Sequence, residues 1–285
     1  MSADRPRPTR RAMLAGFAAS PVVATGVGVF PSAARAQASA AGLLTPNVCM
    51  VMPEVTEGPY YLDERLMRAD ITEDREGVPL RLQMQVVTAD CQPVPEARVD
   101  LWHCDAQGNY SGYATQGSEG TNDTSDETFL RGTQISDDSG LVSFDTIYPG
   151  WYRGRTTHIH YKVYLDERTV LTSQIFFPDA LSQYLYLAVS PYNDRSAERD
   201  TTNGNDGIAQ QAGEGAYAAI REQKARYDAA LVVGIDPQAE STEGAMGRPA
   251  GGPPPGGERP EGMAPPEGGP TGAGEAEVYV PGRDS

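Results

Sequence analysis

Hydrophobic and polar residues alternate over several short segments in the middle of the chain, the pattern of β-strands that bury one face. In Leu80–Cys91 the apolar positions Leu80, Leu82, Met84 and Val86 are separated by Arg or Gln. Further candidate strands are bounded by Gly, Pro, Asn and Asp, and they occupy residues 97–104, 141–150, 157–165, 171–179 and 227–237. Short strands joined by such turns predict an all-β domain, built as an antiparallel sandwich or barrel.

Helical patterning is scarce in the same region. The segment that we predict as a helix is Ala216–Tyr227, with the sequence AYAAIREQKARY. The rest of the domain is expected to contain little helix.

The N-terminal segment differs from this central pattern. Residues 1–38 place Arg10 and Arg11 before an apolar stretch that ends near Phe30, and small residues follow. This is the pattern of a secretory signal, and the arginine pair indicates the twin-arginine route. We therefore expect export to the periplasm or the extracellular space. The apolar stretch is short and diluted by Gly, Ser and Pro, so it does not predict a membrane span.

The C-terminal segment has a different bias. Residues 238–285 are dominated by Gly, Pro, Glu and Ala. Such a segment buries too little apolar surface to offset the entropy lost on ordering, so we predict a disordered tail. One folded domain is then expected between residues 43 and 237.

The charge balance excludes some partners. The formal net charge is −16, and cleavage after residue 38 would make it −20, because five arginines and one aspartate lie before that point. A chain this acidic is not expected to bind nucleic acid or an anionic membrane.

The three cysteines are Cys49, Cys91 and Cys104. In an oxidising compartment they allow one disulfide with one cysteine left over, and the sequence does not choose the pair. They show no Cys-x-x-Cys spacing, so a thiolate zinc site is not supported.

Two of the three histidines in the chain form the motif His158-Ile159-His160. Alternate residues of a strand share a face, so both imidazoles are expected on one side and can converge on one ion. A cupin-type site would need Glu where this chain has Leu165. A zinc hydrolase site would need a third histidine or a carboxylate, and the remaining histidine is His103, which we interpret as a packed strand residue.

Two tyrosines provide a better context for these histidines. Tyr152 precedes His158 by six residues in a Pro-Gly turn, and Tyr110 ends the segment VDLWHCDAQGNY. A phenol loses its proton near pKa 10, so phenolate is a poor zinc ligand but suits a hard ion such as Fe(III). Two phenolates, two neutral imidazoles and one hydroxide would neutralise Fe(III), which favours a buried site. Tyr148 could compete for the role of Tyr152, and the Pro-Gly spacing favours Tyr152.

At this point the sequence resembles a known family, the intradiol ring-cleavage dioxygenases, and is similar to the protocatechuate 3,4-dioxygenase type. The resemblance spans most of the central domain in the family's order. The segments that carry it are TEGPYYLD, VDLWHCDAQGNYSGY, FLRGTQISDDSGLVSFDTIYPGWY, RTTHIHYKVY and LTSQIFF.

The resemblance implies a β-sandwich that holds one mononuclear non-haem Fe(III). The implied iron ligands are Tyr110, Tyr152, His158 and His160. A catechol-type substrate would displace one tyrosinate, Tyr152, which then acts as a base, and the ring would be cleaved by O2 between its two hydroxylated carbons to a muconate-type diacid.

The resemblance also implies two roles beside the ligands. Arg155 would be catalytic and bind substrate, through its positive charge beside the developing carbanion. Gln174 would bind substrate or hydroxide through a hydrogen bond.

The chain departs from the family pattern in two places. The N-terminal helical dimerisation segment of catechol 1,2-dioxygenases is missing, and an acidic insertion at residues 114–130 is expected to form a loop near the mouth of the site. The ring substituents of the substrate and the formation of a homo-oligomer therefore stay open.

Two alternatives remain at the level of sequence. CQPVPEARVDLW also resembles strand-turn-strand units of transthyretin-like and carboxypeptidase regulatory-like domains, which are non-catalytic binding modules. The other alternative is a dioxygenase-like shell whose iron serves a role unrelated to catechols.

Overall fold

The structure is a computed structural model that describes residues 49–117, 120–195 and 197–243. The export signal predicted at residues 1–38 lies outside the described residues, as does the predicted tail beyond residue 243. No helix in the described ranges has the length and apolar character needed to cross a membrane.

Eight strands in the described residues form two sheets of four. The strands are β1 (Pro79–Thr88), β2 (Arg98–Trp102), β3 (Arg131–Ile135), β4 (Leu141–Ile147), β5 (His158–Leu165), β6 (Arg168–Phe176), β7 (Ala219–Glu222) and β8 (Tyr227–Ile235). The first sheet has the order β4-β1-β8-β7 and the second the order β3-β2-β5-β6. The predicted all-β sandwich is confirmed, with one exception to its antiparallel pairing: β1 and β8 run parallel. Parallel strands need a long connection, and here most of the domain separates the two strands.

The hydrophobic core lies between the two sheets. The first sheet contributes alternate residues of β1, from Leu80 to Val86, and these are buried as the alternation predicts. The second sheet contributes Ile159, Tyr161 and Val163 of β5. The intervening residues of β5, which include the two histidines, therefore lie on the opposite face of the second sheet.

A segment before β1 covers that opposite face. We call residues Thr56–Asp63 the strap. Its contacts with the sheet include Glu57 with Lys162, and Tyr61, whose hydroxyl donates to a carboxylate oxygen of Asp100 at 2.8 Å. Polar strand residues on this face are buried under the strap rather than exposed to water.

The predicted helix Ala216–Tyr227 is wrong. Its residues form β7, a turn closed by a hydrogen bond from Gln223 N to Arg226 O (2.9 Å), and the start of β8. Pairing along β8 prevails here over local helical preference, because a strand at the edge of a formed sheet gains a ladder of hydrogen bonds. Within residues 49–243, as far as the structure describes them, the helices are α1 (Asp179–Ala188) and α2 (Gly207–Ala212), with one 3-10 turn at Glu214–Ala216.

One disulfide joins Cys49 to Cys91, with a Cα–Cα distance of 5.3 Å. It ties the chain before the strap to the turn after β1. Cys104 is free and buried. The structure therefore resolves the pairing that the sequence left open.

Six residues of the segment predicted as a tail, 238–243, are described. Ser241 N donates to Thr169 O of β6 at 2.8 Å, and the Ser241 hydroxyl contacts Glu54. The packed domain thus extends to residue 243.

Candidate metal centre

The two histidines of β5 lie side by side on the strap-covered face. His158 and His160 are buried, and their Nε2 atoms are 3.0 Å apart. The convergence expected from their spacing is present.

Both candidate tyrosines meet these histidines. The Tyr152 hydroxyl lies 3.1 Å from His158 Nε2, and the Tyr110 hydroxyl lies 3.4 Å from the same atom. The four residues come from three separate parts of the chain: β5, the turn after β2 and the turn after β4. Three donor atoms therefore lie within 3.4 Å of the fourth, His158 Nε2, although the residues span 50 positions of sequence.

Two glycines allow the tyrosine-bearing turns to meet. A Cβ on Gly108 would lie 2.3 Å from Trp151 O, and a Cβ on Gly150 would lie 2.3 Å from Asp105 O. Gly108 also has φ +87°, a region that other residues rarely adopt. Side chains at these two positions would push the turns apart and separate Tyr110 from Tyr152.

The acidic insertion holds the backbone of Tyr110. Gln116 Oε1 accepts from Tyr110 N at 2.9 Å, and Thr124 Oγ1 donates to Tyr110 O at 2.6 Å. Both insertion residues are buried. Sequence reasoning treated residues 114–130 only as a loop near the site and missed this support, because neither residue carries a recognisable motif.

Tyr148, the competitor of Tyr152, lies elsewhere. Its ring is in the core and its hydroxyl is 2.8 Å from Ser182 Oγ on α1. His103 is also apart from the four donors: its Nδ1 is 2.8 Å from Cys104 O and its Nε2 is 2.8 Å from Thr146 Oγ1. The structure thus brings Tyr152 to the histidines and leaves Tyr148 and His103 in packing roles.

The protonation of the donors follows from their surroundings. His158 Nδ1 lies 2.7 Å from the carbonyl of Thr156, so we assign the ring proton to Nδ1 and a free lone pair to Nε2. Burial lowers the pKa of His158 and His160 well below the usual value, and neighbouring positive charge lowers both further. Burial raises the pKa of Tyr110 and Tyr152. The set therefore consists of two neutral imidazoles and two phenols.

Aromatic contacts hold the rings in place. His160 stacks on Trp102 with ring centroids 4.9 Å apart, and its Nδ1 is buried with no hydrogen-bond partner among the described residues. Tyr60 of the strap stacks on Tyr110 at 4.2 Å. Gly58 has φ +70°, and a Cβ there would lie 3.3 Å from His160 Cε1. The strap therefore forms one wall of the site, a position that its motif TEGPYYLD did not reveal.

Arg155 and Gln174 lie beside the four donors. Arg155 Nη1 is 3.5 Å from His158 Nε2, and Arg155 Nη2 donates to Gln174 Oε1 at 2.5 Å. Gln174 is the register partner of His160 on β6, and its Nε2 donates to Thr56 O at 2.9 Å. Both the oxygen and the nitrogen of the Gln174 side-chain amide are thus engaged within the protein.

Metal sites of the more common composition are not found in the described ranges: they contain no group of three or more His, Cys, Asp and Glu residues that could hold an ion. Two of the four donors described above are tyrosines, so the ligand chemistry of this site differs from that of sites built from His, Cys, Asp and Glu alone.

Comparisons with known proteins show similarity to dioxygenases. A family model described as Dioxygenase matches residues 56–190. A solved intradiol ring-cleavage dioxygenase from Tetranychus urticae is 35% identical, the match covering 68% of this chain and 98% of that chain with a TM-score of 0.62. Catechol 1,2-dioxygenase of Pseudomonas sp. (strain EST1001) is 26% identical over 59% of this chain, and that of Acinetobacter baylyi is 29% identical over 43%.

The matches to the two curated relatives cover 61% and 45% of those proteins, so the chain spans about half to three-fifths of their length. The comparisons give no support to a transthyretin-like or carboxypeptidase regulatory-like binding module. The family of the Tetranychus urticae enzyme implies a non-haem iron cofactor. With identity above 30% along nearly the whole of that enzyme and with the same sandwich fold, this chain belongs to the intradiol ring-cleavage dioxygenase family.

Proposed function

We propose that this protein is an intradiol dioxygenase that uses mononuclear non-haem Fe(III) and O2. It cleaves a catechol-type ring between the two hydroxylated carbons and gives a muconate-type diacid, with both oxygen atoms of O2 incorporated. The observation that carries the proposal is the convergence of Tyr110, Tyr152, His158 and His160, with three contacts of 3.0–3.4 Å to His158 Nε2.

The donor set fits Fe(III). Burial keeps both imidazoles neutral, with lone pairs available for a cation. Burial also opposes loss of the phenol protons, so only a strongly charged cation would compensate for two phenolates in this environment. Tyr110, Tyr152, His158 and His160 would hold the ion. When bound, Fe(III) would act as a Lewis acid that draws electron density from the catecholate and activates its ring for O2.

The two tyrosines have different surroundings and therefore different proposed roles. Tyr110 is fully buried, stacked under Tyr60 and fixed at its backbone by the insertion. Tyr152 is only partly buried and lies in an exposed turn. Tyr152 is thus the side chain that could move aside. As the phenolate that bound Fe(III) would stabilise, it would accept a proton at its Oη from a substrate hydroxyl, which is general base work.

Arg155 supplies a fixed positive charge beside the donor atoms. Its Nη1 lies 3.5 Å from His158 Nε2, and a catecholate ring held at the donor atoms would develop its negative charge close to this group. A preorganised charge in such a site contributes about 3 kcal/mol to the barrier reduction. Tyr60 of the strap stacks on Tyr110 and meets the Tyr152 ring edge-on, with centroids 6.3 Å apart, so the strap contacts both tyrosines of the site.

The proposal includes export through a twin-arginine route. The disulfide between Cys49 and Cys91 supports it, because disulfides persist in oxidising compartments. Fractionation of cells that produce the full chain tests this part. Recovery of the disulfide-bonded chain only in the cytoplasmic fraction would contradict it.

The activity is tested by incubating iron-loaded protein with catechol under labelled O2 and identifying the product by mass spectrometry. The expected product is a diacid that carries two labelled oxygen atoms. Tyr148→Phe is the matched control for Tyr152→Phe. Each substitution removes one phenol hydroxyl, and the two positions are four residues apart in sequence. We expect Tyr148→Phe to cleave catechol and Tyr152→Phe to lose most of its activity. Absence of a labelled diacid from the wild-type protein would overturn the proposal.

A further inference from the structure

Asp206 is a buried carboxylate beyond the segment that matches the family model, and no motif points to it. Its Oδ1 accepts from Ile208 N at 2.8 Å and from Ala209 N at 3.1 Å, which caps α2. Its Oδ2 accepts from Arg155 Nε and from Thr156 N, both at 2.9 Å. One oxygen therefore serves the helix, and the other serves the segment that leads into β5.

The hydrogen bonds of Arg155 divide its three nitrogens. Nε is held by Asp206, Nη2 is held by Gln174, and Nη1 faces His158 Nε2 at 3.5 Å. The guanidinium is a rigid planar group, so fixing two nitrogens fixes the direction of the third. Asp206 and Gln174 together aim Nη1 at the four donors.

The same oxygen of Asp206 also supports a histidine. Thr156 donates its N–H to Asp206 Oδ2, and its carbonyl lies 2.7 Å from His158 Nδ1. The side chain of Arg155 and the peptide that orients His158 therefore share one anchor. Outer hydrogen bonds of this kind commonly decide how well a site is aligned.

Asp206 is a charged anchor, and its carboxylate is paired with the opposite charge of Arg155. Burial acts to raise the pKa of Asp206, but the Arg155 charge and the backbone hydrogen bonds outweigh it and lower the pKa below the usual value. The Arg155–Asp206 pair has side-chain exposures of 13% and 2%, so water screens it weakly. A helix cap alone would leave Oδ2 unused, whereas here that oxygen receives two donors.

We propose that Asp206 is a positioning residue for Arg155, in the reaction proposed above, on which this inference rests. It holds the guanidinium so that Nη1 points at the reacting centre. Gln174 is the second support, and it links Arg155 to the strap through Thr56 O.

Asp206→Asn separates this role from helix capping. Asparagine keeps an oxygen for Ile208 N and Ala209 N, and it caps helices as well as aspartate does. Its NH2 group cannot accept from Arg155 Nε or Thr156 N. The matched control is Asp145→Asn on the first sheet, which breaks a two-bond pair with Arg81 (both 2.8 Å) far from the four donors.

In the iron-loaded enzyme we expect Asp206→Asn to lower kcat by about 10- to 100-fold, the usual cost of losing an outer-shell partner, with KM changed less than about threefold. Asp145→Asn is expected to keep kcat within about twofold, as an exposed ion pair contributes little. When Arg155→Gln is already present, adding Asp206→Asn should lower kcat by a smaller factor than it does in the wild type, because the support of Arg155 is already lost and only the bond to Thr156 N is left to break.

A second readout needs no iron and no turnover. Urea unfolding gives a double-mutant cycle when it is measured on the metal-free wild type, Arg155→Gln, Asp206→Asn and the double variant. We expect the changes in the free energy of unfolding to be non-additive, because the two side chains are paired. Additive losses in kcat, or an equal loss in Asp145→Asn, would overturn the positioning role. An unfolding cycle without coupling in an active enzyme would overturn the link itself. A wild type without ring cleavage would instead overturn the proposed function, and the positioning role with it.

Discussion

The two sheets of the sandwich differ in their outer faces. In the first sheet, strands such as β1 and β4 alternate buried and exposed residues, so the outer face meets water. In the second sheet, β2 and β5 are buried on both faces apart from the last residue of β5. The first sheet follows the simple rule for a strand with one buried side, and the second does not.

The second sheet buries polar groups on its outer face, which is costly unless they are paired. His158, His160 and Lys162 lie there, under the strap. Each is paired or stacked by residues from other elements, among them Thr156, Trp102 and Glu57. Departures from simple patterning of this kind concentrate where a protein has a function. The comparison thus places the candidate site on the second sheet and indicates that the first sheet contributes mainly to stability.

The different roles of the two sheets are tested most strongly by removing one large side chain from each sheet. His160→Ala should abolish ring cleavage and iron binding, because it deletes one of four converging donors, while the β signal in circular dichroism persists. Leu82→Ala in β1 should lower the free energy of unfolding by about 2–5 kcal/mol through loss of core packing. Its folded fraction should still bind one iron per chain.

Iron content by mass spectrometry and urea unfolding of the two variants check this pair. If His160→Ala retained iron and turnover, the site assignment would be wrong. If Leu82→Ala lost iron while fully folded, the division of roles between the sheets would fail.

A second, smaller effect concerns the contact between the sheets. His103 follows β2, and its Nε2 lies 2.8 Å from Thr146 Oγ1 of β4. Burial lowers the pKa of His103 to about 4. The folded state therefore resists protonation between pH 6.5 and 4, and stability falls as the pH falls through that window, by at most about 3 kcal/mol.

Urea unfolding of wild type and His103→Gln at pH 7, 5.5 and 4 measures this contribution. The free energy of unfolding should fall more steeply with falling pH in the wild type than in the variant, and the two slopes should differ by at most the uptake of one proton. The difference reports on His103, because the other two histidines are common to both proteins. Equal slopes for the two proteins would show that His103 does not carry the acid sensitivity.

The smallest effects come from ion pairs on the two outer faces. Lys162 is buried and pairs with Glu57 of the strap, whereas Asp145 and Arg81 form an exposed pair on the first sheet. Glu57→Gln should cost about 1–3 kcal/mol, because it leaves a buried ammonium with a weaker partner. Asp145→Asn should cost less than about 1 kcal/mol. Thermal or urea unfolding distinguishes them, and equal losses would argue that the strap does not desolvate its pair.

The same comparison explains what could be predicted from sequence. The strands β1 and β2 and the placement of His158 beside His160 follow from two-residue alternation, which is a local property. β3 was not predicted as a strand, because its sequence RGTQI shows no clear alternation. The helix at Ala216–Tyr227 was predicted wrongly, because β7 pairs with β8 in a hairpin, and β8 is in turn fixed by its pairing with β1, far away in sequence.

The supports of the site depend on contacts between residues far apart in sequence. Asp206 lies 51 positions from Arg155, and Gln174 lies 118 positions from Thr56. No pattern within a short window encodes such pairs. The roles of Gln116 and Thr124 behind Tyr110 were missed for a related reason, since the insertion has no motif of its own.

The most direct test of the proposed site is the visible spectrum of the iron-loaded protein, with and without catechol under nitrogen. Wild type should show a broad tyrosinate-to-Fe(III) absorption band that moves to longer wavelength when catechol is added. Tyr148→Phe should keep this behaviour, and Tyr110→Phe should lose it. A wild-type protein that stays colourless after iron loading, or a Tyr110→Phe variant with an unchanged band, would contradict the proposed tyrosine and histidine site.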